Sequence, residues 1–326
     1  MARLVTRLTR QLGIEHPVLS APMALAAGGA LAAAVTRAGG LGLIGGGYGD
    51  AAWLENEFGQ AGNTRVGCGF IIWSLAKQPH LLTAALAHSP AALMLSFGDP
   101  APFATELAAA GVPLICQCQS LDHVRQALDA GAAIIVAQGS EAGGHGHRRA
   151  TLPFVPEVAD LLARQSPDTL LLAAGGIADG RGLAASLMLG ADGVLVGTRF
   201  WASREALVHP GHHAAALAAT GDKTVRTSLP DIARRLDWPK PFDIRVADNA
   251  FTARWTGHDD AFRAAIEQEA PAYRAAFAAG DAQKAAVIFG EAAGLVADIP
   301  PAGEIVTRMV DEAATLLAEK ARGFLA

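Results

Sequence analysis

Short apolar runs recur through the first two thirds of the chain, separated by helical patterns that stop at glycine. The runs "HPVLSAP" (16–22), "LGLIGGG" (41–47), "VGCGFII" (66–72), "ALMLSF" (92–97), "PLICQC" (113–118), "AAIIVAQ" (132–138), "TLLLAAG" (169–175) and "GVLVGTRF" (193–200) predict eight strands. Between them lie amphipathic or alanine-rich segments such as "LAAAVTRAGG", "LDHVRQALDAGA" and "GRGLAASLMLGADG", whose closing glycine reads as a left-handed helix cap. Strands that are apolar on both faces and alternate with helices belong in a parallel sheet covered on both sides. Eight such units in line predict a (β/α)8 barrel. A doubly wound open sheet is the alternative, because the pattern does not itself show closure.

After Phe200 the pattern changes. Residues 201–256 are polar and proline-marked and show no strand run, and from 258 onward helical patterns dominate. The last of these, "PAGEIVTRMVDEAATLLAEKAR", is amphipathic and placed to close a barrel after its eighth strand. The expected organisation is a barrel over 1–215, a helical cap or substrate region over 216–302, and a C-terminal helix over 303–326 packed back on the barrel.

Composition narrows the function. The 326 residues are 51% hydrophobic, enough for a barrel-sized core and an appendage, and the net charge of −5 offers no basic field for a phosphate backbone. Nucleic acid is therefore not an expected partner. The N-terminal stretch "MARLVTRLTRQLGIEHP" lacks the apolar core of a signal peptide, and no uninterrupted apolar span suits a membrane, so a cytoplasmic protein is expected. Cys68, Cys116 and Cys118 form neither a C-x-x-C pair nor an even set, and read as small hydrophobes in strands rather than a disulfide framework or a metal site.

The chemistry of a barrel sits at the carboxyl ends of its strands, with phosphate commonly held after strands seven and eight. Those loops here read "AAGGIADGRG" and "VGTRF". Gly175 and Gly176 precede a helix whose N-terminal amides would suit an anion, while Gly197 and Thr198 add close backbone approach and a hydroxyl. "GLGLIG" (40–45) fits G-x-G-x-x-G but follows a helix and forms a strand, so it reads as barrel wall rather than a dinucleotide fingerprint. The five lysines lie away from the strand ends, which leaves no Schiff-base amine, and the strand ends carry too few carboxylates for a magnesium site. What remains at the mouth is His145, following strand six in "SEAGGHGHRRA", with Gln117 and Gln138. Imidazole titrates near neutrality and suits a base. By the period of two, Gln117 faces opposite to Cys116 and Cys118.

"SAPMA", "AGGLGLIGGG", "AQGSEAGGHG" and "AAGGIADGRGLAASLMLGADGVLVGTRF" together resemble the nitronate monooxygenase (2-nitropropane dioxygenase) family of FMN-dependent barrels. The resemblance covers residues 12–205, and "FGEAAGLVADIPPAGEIV" is also similar. It implies FMN as cofactor, with Ala21, Pro22 and Met23 lining the flavin ring and Gln117 and Gln138 contacting the ring or its ribityl chain. It further implies that Gly143 and Gly144 let the backbone approach, that Gly175, Gly176, Gly197 and Thr198 hold the phosphate, and that His145 is the active-site histidine. The implied reaction converts alkyl nitronates and O2 to a carbonyl compound and nitrite. NAD(P)H-dependent FMN reductases of quinones or enoyl thioesters look similar over the same motifs and supply the alternative; a flavin-free aldolase- or synthase-like barrel is a third reading. The expected partners are a small nitronate or nitroalkane and O2, and a homodimer is compatible with the sequence. Two positions depart from the family pattern: Gly69 stands where relatives often carry asparagine, and "GGHGHRR" stands where they often read "GGHRG", which brings His147 beside His145.

Overall fold

The apolar runs form strands because both of their faces are buried, one against the barrel axis and one against helices. The computed structural model describes residues 3–320 and 323. Its strands are β1 (Val18–Ser20), β2 (Leu41–Gly47), β3 (Gly67–Ile71), β4 (Leu93–Ser96), β5 (Leu114–Cys118), β6 (Ile134–Gln138), β7 (Gly144–Gly146), β8 (Leu170–Ala174), β9 (Gly193–Val196), β10 (Thr224–Thr227) and β11 (Asp243–Ala247). Parallel pairing in the order β1–β6, β8, β9 and back to β1 closes the expected eight-stranded barrel.

Residue parity sorts the core into two shells. Leu19, Leu43, Met94, Ile115, Val136, Leu172 and Leu195 fill the interior, whereas Cys68, Leu95, Cys116, Ile135, Leu171 and Val194 pack beneath the helices. Helix Arg7–Leu12 closes the amino-terminal end: Leu8 is fully buried with the interior set, and the Arg7 guanidinium donates to Asp192 on both carboxylate oxygens at 2.8 Å. Helix Ala302–Thr315 packs on helices Gly180–Met188 and Gly29–Arg37, the place of the helix that follows the eighth barrel strand. Residues 321, 322 and 324–326 of the expected C-terminal helix lie outside the described residues.

All three cysteines are buried, Cys68 on β3 and Cys116 and Cys118 on β5. Burial pushes the Cys68 and Cys116 thiols up to about 12 and raises Cys118 as well. The native protein is thus expected to leave an aromatic disulfide reagent unreacted at pH near 8, with all three thiols titrating only in denaturant; a native thiol that reacts at once would contradict this packing.

The reading of 201–256 as free of strands is corrected. β10 and β11 lie there and, with β7, form an antiparallel three-stranded sheet in the order β10–β11–β7. "TVRT" and "DIRVA" do alternate apolar and charged residues, but each is too short to bury a face alone. They are strands because β7, contributed by the loop after β6, completes the sheet. Leu229, Ile232, Ile244, Val246, Phe251, Phe262 and Tyr273 give this region a cluster of its own. Among the described residues no helix is long and apolar enough to cross a membrane.

Candidate active site

The inward positions at the carboxyl ends of the strands form the floor of a cavity of about 560 Å3. Ala21, Pro22, Met23, Gln117, Gln138, Gly143, Gly144, His145, Gly175, Gly176, Gly197 and Thr198 all line it. The twelve residues singled out from sequence are therefore brought to one place. His147 is not among the lining residues; its ring lies toward Phe242.

His145 reaches the cavity on a strand. In β7 it pairs with Ile244 of β11, and Gln138 at the end of β6 donates from its amide nitrogen to the His145 carbonyl at 3.1 Å. The preceding loop leaves carbonyls that need donors. Arg226 on β10 donates to those of Ser140 (2.9 Å) and Ala142 (3.3 Å), and Arg245 on β11 donates to Ser140 at 3.0 Å. Burial, together with the nearby Arg245, lowers the Arg226 guanidinium to about 10. Arg226→Met should cost about 2–3 kcal/mol, since charge-assisted bonds to half-buried carbonyls are lost at once. Chemical unfolding of the two proteins checks this; equal midpoints would mean that the loop holds itself.

The His145 imidazole is buried and its Nε2 lies 2.8 Å from Asp231 Oδ2. Asp231 is buried too, and Arg234 donates to its other oxygen at 2.7 Å. Trp238 stacks on the imidazole with ring centroids 3.3 Å apart and planes 9° from parallel, and donates its indole N–H to the Tyr48 hydroxyl at 3.1 Å. Burial lowers the His145 pKa from its ordinary value, while the Asp231 hydrogen bond and charge act in the opposite direction.

Gln138 is the centre of an amide cluster. Its Oε1 accepts from Gln117 at 3.2 Å and from Gln119 at 2.9 Å, and Gln119 in turn meets His123 Nδ1 at 3.2 Å. The Gln138 oxygen is therefore filled by the chain and one of its N–H groups holds the His145 backbone, which leaves it one N–H, whereas Gln117 still has an oxygen and a further N–H to offer.

At the other end of the cavity, the expectation that the helix after Gly176 presents free amides is corrected. The N–H groups of Arg181 and Gly182 donate to Asp179, and that of Gly180 donates to Glu312 at 2.7 Å. This terminus is capped and is no anion site. An anion at this end would have to use the backbone around Gly176 and Gly197 and the Thr198 hydroxyl. That hydroxyl accepts from the Gly290 N–H at 2.9 Å, which leaves its proton free to donate.

Two glycines differ from what the pattern implies. Gly144 has φ +72° and open space where a Cβ would point, as expected of a residue facing a ligand, but a Cβ on Gly143 would lie 2.5 Å from the backbone of Phe289 and Gly290. Gly143 is needed for chain crossing. At Gly69 a Cβ would lie 2.3 Å from Pro22 Cγ, so the Pro22 ring occupies the space an asparagine side chain would need.

Sequence reasoning missed Asp231, Arg234, Trp238, Tyr48 and Gln119. The first three come from "SLPDIARRLDWP", part of the stretch that reads only as polar and proline-marked. Only the alternation in "TVRT" and "DIRVA" signals that this segment returns to the barrel.

A closed (β/α)8 barrel with a buried imidazole and amide, hydroxyl and guanidinium donors around one cavity at its strand ends is the framework of an enzyme acting on a small organic molecule. This chain belongs to the nitronate monooxygenase family, whose model matches residues 5–64 and 76–312. It is an oxidoreductase. It is 32% identical to a nitronate monooxygenase of Neurospora crassa, over 92% of this chain and 89% of that protein. The structure of FabK from Thermotoga maritima superposes with a TM-score of 0.86 at 31% identity, covering 99% of this chain and all of that one. That of a nitroalkane oxidase from Streptomyces ansochromogenes superposes with a TM-score of 0.78 at 26% identity, covering 98% of this chain and all of that one.

Proposed function

We propose that the protein binds FMN in the barrel mouth and oxidises alkyl nitronates with O2 to a carbonyl compound and nitrite. The observation that carries this reading is the buried His145 imidazole on the wall of a cavity that also presents the Gln117 amide, the Thr198 hydroxyl and the Arg234 and Arg274 side chains, in a chain of the nitronate monooxygenase family. The residues present fit the cofactor: the cavity volume lies within the ~300–1,000 Å3 of small-molecule sites, and no Cβ narrows it at Gly144 or Gly197. Ala21, Pro22 and Met23 would pack on the ring, with Gln117 hydrogen-bonding its edge. Gly175, Gly176, Gly197 and Thr198 would hold the phosphate. Bound FMN would supply the redox chemistry that none of these side chains offers.

His145 would orient the nitro group of a bound nitronate or remove an α-proton from a neutral nitroalkane. Because burial lowers its pKa, the imidazole stays neutral, and competent as a base, to lower pH than a free one. The acid limb of kcat/KM for a neutral nitroalkane is expected below the usual imidazole value of about 6.5. A limb at or above that value would argue against His145 as the base. We assign residues 216–302, with β10 and β11, as the substrate-facing cap.

The deciding experiment is a visible spectrum of the purified protein under nitrogen. Flavin bands bleached by the nitronate of 2-nitropropane but not by NADH or NADPH support the proposal. A second reading, NAD(P)H-dependent reduction of a quinone or an enoyl thioester, is favoured by the exposed Leu25, Leu207 and Phe277 on the cavity lining, an apolar mouth suited to a longer chain. Rapid bleaching by a pyridine nucleotide would select it.

A further inference from the structure

We infer that Asp231 is a positioning residue that fixes the tautomer of His145, making Nδ1 the nitrogen that takes a proton from a neutral nitroalkane. The inference rests on the proposed function for the identity of the substrate but not for the tautomer. Its basis is hydrogen-bond inventory. Asp231 Oδ1 accepts from Arg234 at 2.7 Å, and Oδ2 lies 2.8 Å from His145 Nε2. A carboxylate paired with a guanidinium only accepts hydrogen bonds, so Nε2 must carry the hydrogen. In a neutral imidazole the lone pair then lies on Nδ1, which makes no hydrogen bond among the described residues.

Three contacts keep the ring in this pose. Trp238 covers one face at 3.3 Å between centroids, Phe97 meets the ring edge-on at 6.1 Å, and pairing with Ile244 holds the backbone. The other charged or titratable groups facing the pair are Arg234 on helix Leu229–Arg234, Arg226 on β10, Tyr48 after β2 and Tyr273 on helix Ile266–Ala278. The arginines disfavour a charged imidazole, and Asp231 alone among the groups acting on His145 favours it.

In the step itself the α-C–H bond breaks and its proton bonds to Nδ1. The electron pair moves into the C–N bond, and the negative charge comes to rest on the nitro oxygens, giving the nitronate. The imidazolium left behind donates from Nε2 to Asp231, a bond strengthened by the new charge. Asp231 thus lies beside the charge that develops on the ring, as the orienting carboxylate of other acid–base pairs does.

The test begins with nitrogen-15 NMR of the full-length flavin-loaded protein carrying labelled histidine, with His145 assigned by its loss in His145→Asn. The expected spectrum has a protonated Nε2 and a bare Nδ1 in the neutral state. A wild-type ring protonated on Nδ1 overturns the inference, and this result needs no Asp231 variant to fold. In Asp231→Asn, kcat with neutral nitroethane should fall roughly 100-fold, and the acid limb of its pH profile should move to lower pH. Turnover of the ready-made nitronate should fall much less, and Asp231→Glu should restore part of the loss. An Asp231→Asn enzyme with the wild-type pH profile and the wild-type tautomer also overturns the inference. Wild-type enzyme inert toward nitronates would sink the proposed function, yet the NMR result would still decide the tautomer.

Discussion

His145→Asn is expected to lower turnover of neutral nitroalkanes by about 100- to 10,000-fold, the range a positioned general base contributes, while the flavin stays bound. The substitution removes the basic nitrogen but keeps a small polar side chain beside Asp231 and Trp238. The backbone contacts that place residue 145, to Gln138 and to Ile244, do not involve its side chain. Steady-state rates with nitroethane, together with the flavin-to-protein absorbance ratio, check both halves. Unchanged turnover would remove His145 from the chemistry. Loss of flavin with loss of turnover would make its role structural.

The second large effect is expected at a residue that carries no chemistry. Gly143→Ala would place a Cβ 2.5 Å from the Gly290 nitrogen and the Phe289 carbonyl carbon, both backbone atoms that cannot turn aside. The same crossing is tied by the Glu291 N–H donating to the Glu141 carbonyl at 3.0 Å and by the Gly290 N–H donating to the Thr198 hydroxyl. Forcing the two chains apart should cost roughly 1–3 kcal/mol or more, the usual range for overpacking, and should disturb the His145 loop and the Thr198 end of the cavity together. Thermal unfolding and flavin retention read the effect. Gly144→Ala is the comparison: it meets open space and carries only the left-handed backbone penalty, about 1–2 kcal/mol. Equal losses from the two variants would show that conformation, not the crossing, is what matters at Gly143.

Much of the site was legible because barrel positions follow parity. Once β5 and β6 are recognised, Gln117 and Gln138 must face inward at the carboxyl ends, and Cys116 and Cys118 must face the helices. Gly197 follows in the same way at the end of β9, whereas Gly175 lies past the end of β8, where parity no longer applies. Legibility failed where a residue's role depends on a partner far along the chain. Gly143 looks from sequence like a glycine opened for a ligand, and only the return of residues 289–290 shows that it clears another backbone. The helix after Gly176 reads as an open anion site; Asp179, its own N-cap, takes two of the amides, and Glu312, distant in sequence, takes the third.

The sequence by itself determined the barrel, its eight strands, the strand-end residues and the family, because each is written in local periodicity or in short contiguous motifs. The tertiary structure alone decided what surrounds the imidazole. Asp231 and His145 are 86 positions apart, and neither β10 nor β11 is long or apolar enough to announce itself as a strand. They become a sheet by adding to the His145 segment, and that pairing carries Asp231, Arg234 and Trp238 to the ring. Periodicity records how a segment buries its own face; it holds no record of which distant side chain will satisfy a buried polar atom.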